Sequence, residues 1–315
     1  MDQDLQGILS RVAELGEMSE AEARRILKDV YEDGIVSRPE AEALFLISDS
    51  LTKTDPDWQA RFVGAIKDYV LTREAPIGWV TEEEANWLIA QVEIGHPEPR
   101  ATEIEMLLTV LSFADGADLR LSRYVLKAIS RQIIEHRSAT SAHVELMRRA
   151  LFAASGECGI WVSQFEASVL FDTNDAIAFA KNDAAWNDLF ARAIGNHLMA
   201  RAHPDPQTEA GALAREAWLK DTSSEVGGFL SGMVSSFTKG DWFSKVTYNA
   251  KRARKARELA QEIARREAEQ VTQEETAWFM DRVDRDQTTS PAERALINFL
   301  KKEAPGFAQG LATAA

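Results

Sequence analysis

A repeated helix-start signal constrains the fold of this chain more than any other feature. A serine or threonine is followed three residues later by a glutamate, usually with valine or methionine just before the hydroxyl residue. The hydroxyl can accept a hydrogen bond from the backbone N–H three residues later. The glutamate side chain in turn accepts one from the backbone N–H of the serine or threonine. The signal therefore predicts many short helices. The clearest copies begin at Ser19, Ser37, Thr81 and Ser163, and weaker copies at Thr272 and Ser290.

The order of these signals predicts an all-α fold, an internally duplicated array of short antiparallel helix pairs. In each half, two capped helices precede a Trp-x-x-x-Phe-x-x-Ala-Ile helix and a threonine-led helix that ends near tryptophan. In the second half the capped helices start at Ser141 and Ser163. The tryptophan and phenylalanine are four residues apart, so they share one helix face and are predicted to be core. The two pairs are Trp58 with Phe62 and Trp186 with Phe190.

The second copy is expected to contain a large helical insertion. Trp58 and Thr81 are 23 residues apart, whereas Trp186 and Thr272, in the corresponding places, are 86 apart. The predicted domains are a first repeat at 1–115, a second repeat at 116–202 completed by 271–315, and an insertion at 203–270.

Composition and charge limit the classes of partner. The formal net charge of -14 opposes binding to the phosphates of nucleic acid, so no nucleic-acid partner is expected. The chain has one cysteine, Cys158, and no apolar run of about 20 residues, the length of a membrane-spanning helix. Its first residues show neither a basic nor an apolar leader, so no secretory signal is expected. A cytoplasmic location is expected.

One helix-start signal lies within a possible calcium loop. Such a loop needs oxygen ligands at positions 1, 3, 5, 9 and 12 and a glycine at position 6. With Gly34 at position 6, the candidate ligands are Asp29, Asp33, Ser37 and Glu40, while Tyr31 replaces the ligand at position 3. Helix punctuation explains the same glycine, serine and glutamate completely and is the favoured interpretation, while cation binding stays open as the alternative.

A weaker cation loop is suggested near the C-terminus. Its candidate ligands are Asp284, Asp286, Ser290 and Glu293, but Arg282 and Gln287 occupy the first and the glycine positions. If either loop binds an ion, calcium or magnesium is the expected cofactor.

Two short motifs resemble the helical domains of the tellurite-resistance B family. They are the Asp-Gly-x-Val-Ser-x-x-Glu segment at 33–40 and the Ala-Asp-Gly turn at 114–116. The resemblance implies metal binding by acidic residues near such a turn and a role in membrane-associated stress response. The glutamate that the family has after the second turn is missing here.

The insertion combines an apolar helix face with a basic run. Such a composition is typical of a docking arm or an interfacial membrane helix, although packing on the chain's own domain is the favoured interpretation. A protein partner and peripheral membrane contact are therefore both considered. The candidate surface residues are Phe229, Met233, Phe237, Trp242, Phe243, Lys251, Arg252, Arg254 and Lys255.

The sequence favours an interaction or regulatory protein over an enzyme. It has no phosphate-binding glycine loop, dinucleotide fingerprint or nucleophile elbow. The histidines have no i, i+4 pair and are expected to be surface or satisfied core residues: His96, His136, His143, His197 and His203. The alternatives are a metal-dependent enzyme that uses clustered acidic residues, and a membrane adaptor that acts through the insertion.

Overall fold

The computed structural model describes residues 36–51, 56–72, 77–94, 96, 98–153, 162–199, 278–279, 282 and 289–303. The contacts divide the chain into two compact units, residues 1–132 and 133–315. The boundary expected at 115–116 falls inside the first of them. Within the described ranges, no helix is both long and apolar enough to cross a membrane.

The described part of the first unit is helical, with one very short pair of strands. Its parallel strands pair Trp79 with Gly116 and Val80 with Ala117. The predicted all-α class is confirmed by this architecture and by that of the second unit. In chain order the elements are α1 (Arg38–Ser50), α2 (Pro56–Thr72), β1 (Trp79–Val80), α3 (Glu82–Glu93), α4 (Ala101–Phe113), β2 (Gly116–Ala117) and α5 (Leu119–His136), the last of which runs into the second unit.

In its described residues, the second unit adds four helices to the end of α5. Helix α8 packs against α6, α7 and α9. Gly195 in α8 permits a close approach, because a Cβ at this position would collide with the Phe299 ring of α9. The helices are α6 (Ser141–Leu151), α7 (Gln164–Ile177), α8 (Ala184–Met199) and α9 (Pro291–Glu303).

The helix starts follow the signals in the sequence wherever the structure describes them. A glutamate oxygen accepts the backbone N–H of the cap residue at 2.6–2.8 Å at Ser37, Thr81, Ser163 and Ser290. Gly78 has a φ of +80°, in the left-handed region that favours glycine. One start is displaced from the expectation: the N-cap of α6 is Thr140 rather than Ser141, because Thr140 accepts the His143 amide.

The predicted core positions Trp58, Phe62, Trp186 and Phe190 are all buried. A third aromatic, Phe45 in the first unit or Phe171 in the second, completes each cluster. The Phe45 ring lies 5.2 Å from Phe62 and 5.9 Å from Trp87, in edge-to-face contact. Phe171 lies 5.0 Å from Phe190 and 5.6 Å from Trp278 with the same geometry. The two units therefore share an aromatic arrangement, and the internal duplication stays a prediction.

Candidate metal centre

Three side chains from separate elements of the first unit converge on one point. Asp49 is the penultimate residue of α1, Glu103 lies in the first turn of α4, and His96 lies between α3 and α4. One ligand atom from each residue falls within 4.8 Å of the other two. We call these three residues the triad. Such convergence needs the tertiary fold, because the residues are 47 and 7 positions apart in the chain.

The ring of His96 is oriented by a backbone carbonyl. Its Nδ1 lies 2.7 Å from the carbonyl oxygen of Glu98. A carbonyl oxygen only accepts hydrogen bonds, so Nδ1 carries a proton. In the neutral ring the lone pair is then on Nε2, which lies 3.3 Å from Asp49 Oδ1 and 3.3 Å from Glu103 Oε1. Metal-binding histidines are commonly held by this kind of second hydrogen bond.

Glu103 is a buried carboxylate whose two oxygens make different contacts. Its Oε2 accepts the Arg100 backbone N–H at 2.7 Å, and its Oε1 faces His96. The side chain is only 2% exposed. Burial raises the pKa of Glu103 above its usual value, and the Asp49 carboxylate adds to the increase, while the Arg100 amide and His96 oppose it. A cation beside Oε1 would offset this burial of negative charge.

The separations within the triad suit a shared metal ion. Metal bonds of 2.0–2.2 Å in tetrahedral geometry place neighbouring ligand atoms about 3.4 Å apart. The two His96 separations are both 3.3 Å. A protonated imidazole bonded to carboxylates would favour about 2.7–2.9 Å. The His96–Asp49 separation is also within hydrogen-bonding distance, so the spacing fits either two ligand pairs around an ion or long hydrogen bonds from the imidazole to the carboxylates.

A cleft of about 490 Å³ adjoins the triad. Asp49 and Glu103 line it together with Ser48, Gln59, Arg100 and Thr102. The cleft is open to solvent on one side, so an ion held by Asp49 and Glu103 would lie beside solvent-accessible space.

The structure describes half of each predicted calcium loop. Ser37 and Glu40 bond to each other, since Glu40 Oε2 accepts both the backbone N–H and the hydroxyl of Ser37. Ser290 and Glu293 form the same kind of cap at α9 and are buried. The upstream acids Asp29, Asp33, Asp284 and Asp286 lie outside the described residues. Both loops stay predictions.

The predicted docking surface also lies outside the described residues, because all of 203–270 does. Its residues are Phe229, Met233, Phe237, Trp242, Phe243, Lys251, Arg252, Arg254 and Lys255.

The sequence expectation for His96 did not anticipate its place in the triad. Histidine ligands of a zinc ion within one helix recur at i and i+4, and no histidine pair of this chain has that spacing. The triad instead joins a helix end, a connecting residue and a helix start. The one available signal was Arg100, which occupies the N-cap of α4 where serine or threonine is usual.

The function of the triad must be inferred from its geometry. Comparison of the chain with protein-family models, curated proteins and solved structures found no match.

Proposed function

We propose that this protein is a helical, cation-binding regulatory module of the cytoplasm whose triad, Asp49, His96 and Glu103, holds a divalent transition-metal ion. The observation that carries the proposal is the orientation of His96: Nδ1 binds the Glu98 carbonyl while Nε2 faces two carboxylate oxygens at 3.3 Å. This arrangement presents one nitrogen and two oxygen donors to one point.

The chemistry of these donors favours zinc over calcium or magnesium. Calcium and magnesium prefer sites made wholly of oxygen ligands. Imidazole suits zinc, copper, iron and nickel. The triad thus differs in metal preference from the oxygen-rich loop predicted at Asp29, Asp33, Ser37 and Glu40, and the two can be distinguished by the ion that binds.

A metal-dependent enzyme is the second candidate function, and the cleft is the observation that favours it. Structural zinc sites usually have four protein ligands, whereas catalytic sites have three and leave a position for water or substrate. The triad supplies three ligands, and two of these also line the cleft. The ion could therefore act on a molecule bound there.

Zinc titration of the wild-type protein and two histidine variants tests the metal site. We expect micromolar or tighter binding of one zinc ion and a loss of about 100-fold in affinity for His96→Gln, because removing even an outer partner of a ligand costs about 10–100-fold. His136→Gln is the matched control, since His136 Nδ1 also contacts a backbone carbonyl, that of Ser138, at 3.0 Å. Isothermal titration calorimetry measures all three. Equal affinity of wild type and His96→Gln would rule out the triad.

Calcium titration tests the loop separately. The loop prediction requires that the wild type bind calcium and that Asp33→Asn weaken this binding, with zinc affinity unchanged. Calcium binding unaffected by Asp33→Asn contradicts it.

The partner proposals concern the insertion. We propose a protein partner that docks on residues 203–270. We also propose peripheral membrane contact from the apolar and basic composition of this insertion, and a stress-response role from the family resemblance. Affinity purification with and without 203–270 tests the first, and liposome flotation tests the second. A partner retained equally by both forms contradicts docking through the insertion.

A further inference from the structure

Arg100 gives the wall of the cleft a fixed cationic group. Its Nη1 donates to the carbonyl oxygens of Ser48 at 3.2 Å and Asp49 at 3.1 Å. These bonds fix part of the guanidinium, while the side chain stays 43% exposed. Arginine has five N–H donors, so the anchored group retains donors for a ligand. A planar guanidinium of this kind suits the two oxygens of a carboxylate or phosphate.

The start of α4 borders the same cleft. Arg100 occupies the N-cap, and arginine has no acceptor with which to bind the first amides of the helix. At α3, by contrast, the Thr81 hydroxyl accepts the Glu84 amide at 3.3 Å. The first amides of a helix have no acceptor within the helix and carry its positive end. At α4 these amides belong to Ala101, Thr102 and Glu103, all of which line the cleft.

The two carboxylates decide when an anion can enter. Without a metal ion, Asp49 and Glu103 outweigh Arg100 and repel negative charge. A divalent cation on the triad reverses the net charge of this group from negative to positive. It also offers an open coordination position beside the cleft. Metal binding and anion binding are thus expected to be coupled.

We propose that the metal-loaded protein binds a small oxyanion group in this cleft, with one oxygen on the cation and another on Arg100 and the first amides of α4. The inference rests on the proposed metal site. It identifies the ligand class as a carboxylate or phosphate and makes the cation a condition for binding it.

Cobalt absorption spectroscopy tests the inference, because a new ligand on Co²⁺ changes its visible spectrum. The protein is loaded with one equivalent of Co²⁺, freed of excess metal and titrated with inorganic phosphate and, separately, acetate at constant ionic strength. We expect a saturable spectral change with at least one of these probes. The two titrations distinguish a phosphate site from a carboxylate site. No change with either probe overturns the inference.

Arg100→Gln is the decisive variant. We expect about ten-fold weaker anion binding, equivalent to about 1.4 kcal/mol and typical of one hydrogen bond to a charged group. Arg61→Gln is the matched control, because it removes the same charge from an exposed side chain of the same unit that does not line the cleft. An equal effect of both variants would show bulk electrostatics and overturn the inference.

Ala101→Pro keeps the test valid if Arg100→Gln alters the cobalt spectrum before anion is added. Proline is tolerated at the first helical position, and Arg100 already has the extended backbone that precedes proline (φ -75°, ψ 166°). The variant removes one donor without changing charge, and about three-fold weaker anion binding is expected from the helix-terminus contribution. Unchanged binding overturns the role of these amides.

Failure of Co²⁺ to bind the wild type rejects the proposed function itself, whereas Co²⁺ binding with no response to anion rejects only this inference.

Discussion

The two units pack similar aromatic clusters but differ in the hydrogen bonding of the buried tryptophan in each cluster. In the second unit Asn174 connects two groups: Trp186 Nε1 donates to its Oδ1 at 3.2 Å, and its Nδ2 donates to Ser290 Oγ at 3.1 Å. In the first unit Trp58, at the same place in the Trp-x-x-x-Phe pattern, has no hydrogen-bond partner for Nε1 among the described residues. Among the described residues, the buried tryptophan N–H of the second unit is therefore hydrogen-bonded, whereas that of the first unit is not.

The difference extends to the last helix of each cluster. At the start of α9, Glu293 Oε2 accepts the backbone N–H of Ser290, and Ser290 Oγ accepts the backbone N–H of Glu293. At the start of α4, Glu103 Oε2 likewise accepts the backbone N–H of the N-cap residue, Arg100, while its Oε1 faces His96. In the second unit Glu293 belongs to a buried helix cap and stays a predicted ligand of the C-terminal loop, whereas in the first unit the second oxygen of Glu103 faces His96.

The largest expected effect comes from removing the aromatic at the centre of each cluster. Phe45→Ala and Phe171→Ala should each lower the free energy of unfolding by about 3–5 kcal/mol, because both side chains are buried and leave a cavity. Urea denaturation followed by circular dichroism measures the loss. A near-neutral result for one variant alone would break the comparison of the two clusters.

The next effect separates the two capping glutamates. Glu103→Gln should weaken zinc binding by about 100-fold, since a ligand charge is lost and even outer-shell losses reach 10–100-fold. Glutamine can still accept the backbone amide at the third helical position, so the helix start is retained. Glu293→Gln makes the same change at the corresponding cap and should leave zinc affinity unchanged. Calorimetric titration that finds equal losses would remove the distinction between the units.

A smaller effect tests the paired and unpaired tryptophans. Trp58→Phe and Trp186→Phe remove similar volumes from positions that are 1% and 0% exposed. Only the second leaves a buried acceptor, Asn174 Oδ1, without its partner, so Trp186→Phe should be more destabilising by about 1–3 kcal/mol. Parallel urea denaturation measures the difference. Equal losses would show that the Asn174 bond contributes no net stability.

Most of the helical architecture could be predicted because its signals are local. A cap such as Thr81 with Glu84 needs residues only three positions apart, and the spacing of Trp186 and Phe190 directly indicates a buried helix face. The displaced start at Thr140 shows the limit of this reasoning. The third residue after Thr140 is His143 rather than glutamate, so this cap lacks the glutamate of the repeated signal.

The candidate site could not be predicted because its geometry is not local. His96 acquires meaning only when the end of α1 and the start of α4 approach it from distant parts of the chain. Its tautomer depends on the Glu98 carbonyl, a contact that no side-chain pattern encodes. The unusual N-cap Arg100 is visible in the sequence, but its meaning depends on the carbonyls of Ser48 and Asp49.

The smallest expected effect on stability concerns the start of α6. Among the described capping boxes, this is the one in which a histidine takes the place of the glutamate. His143 Nδ1 accepts the Thr140 backbone N–H at 3.4 Å, whereas at α7 the carboxylate of Glu166 accepts the Ser163 N–H at 2.8 Å. Burial lowers the pKa of His143, and nearby His136 lowers it further, while a bond with the Ser138 backbone opposes the shift. Protonation of Nδ1 would also remove its acceptor lone pair.

Acid should therefore weaken the start of α6. Because the pKa of His143 is lower in the folded chain, the unfolded chain binds more protons as the pH falls below its own pKa of about 6.5. This contribution is present in full above that pH and is lost as the pH falls towards the folded pKa. We expect a decrease of at most about 0.5 kcal/mol, since the ring is only partly buried and solvent screens it. His143→Glu replaces the acceptor with a carboxylate that stays charged throughout this range, so it should flatten the decline in melting temperature between pH 7 and 5.5. An identical decline in wild type and variant would assign the pH dependence to other groups.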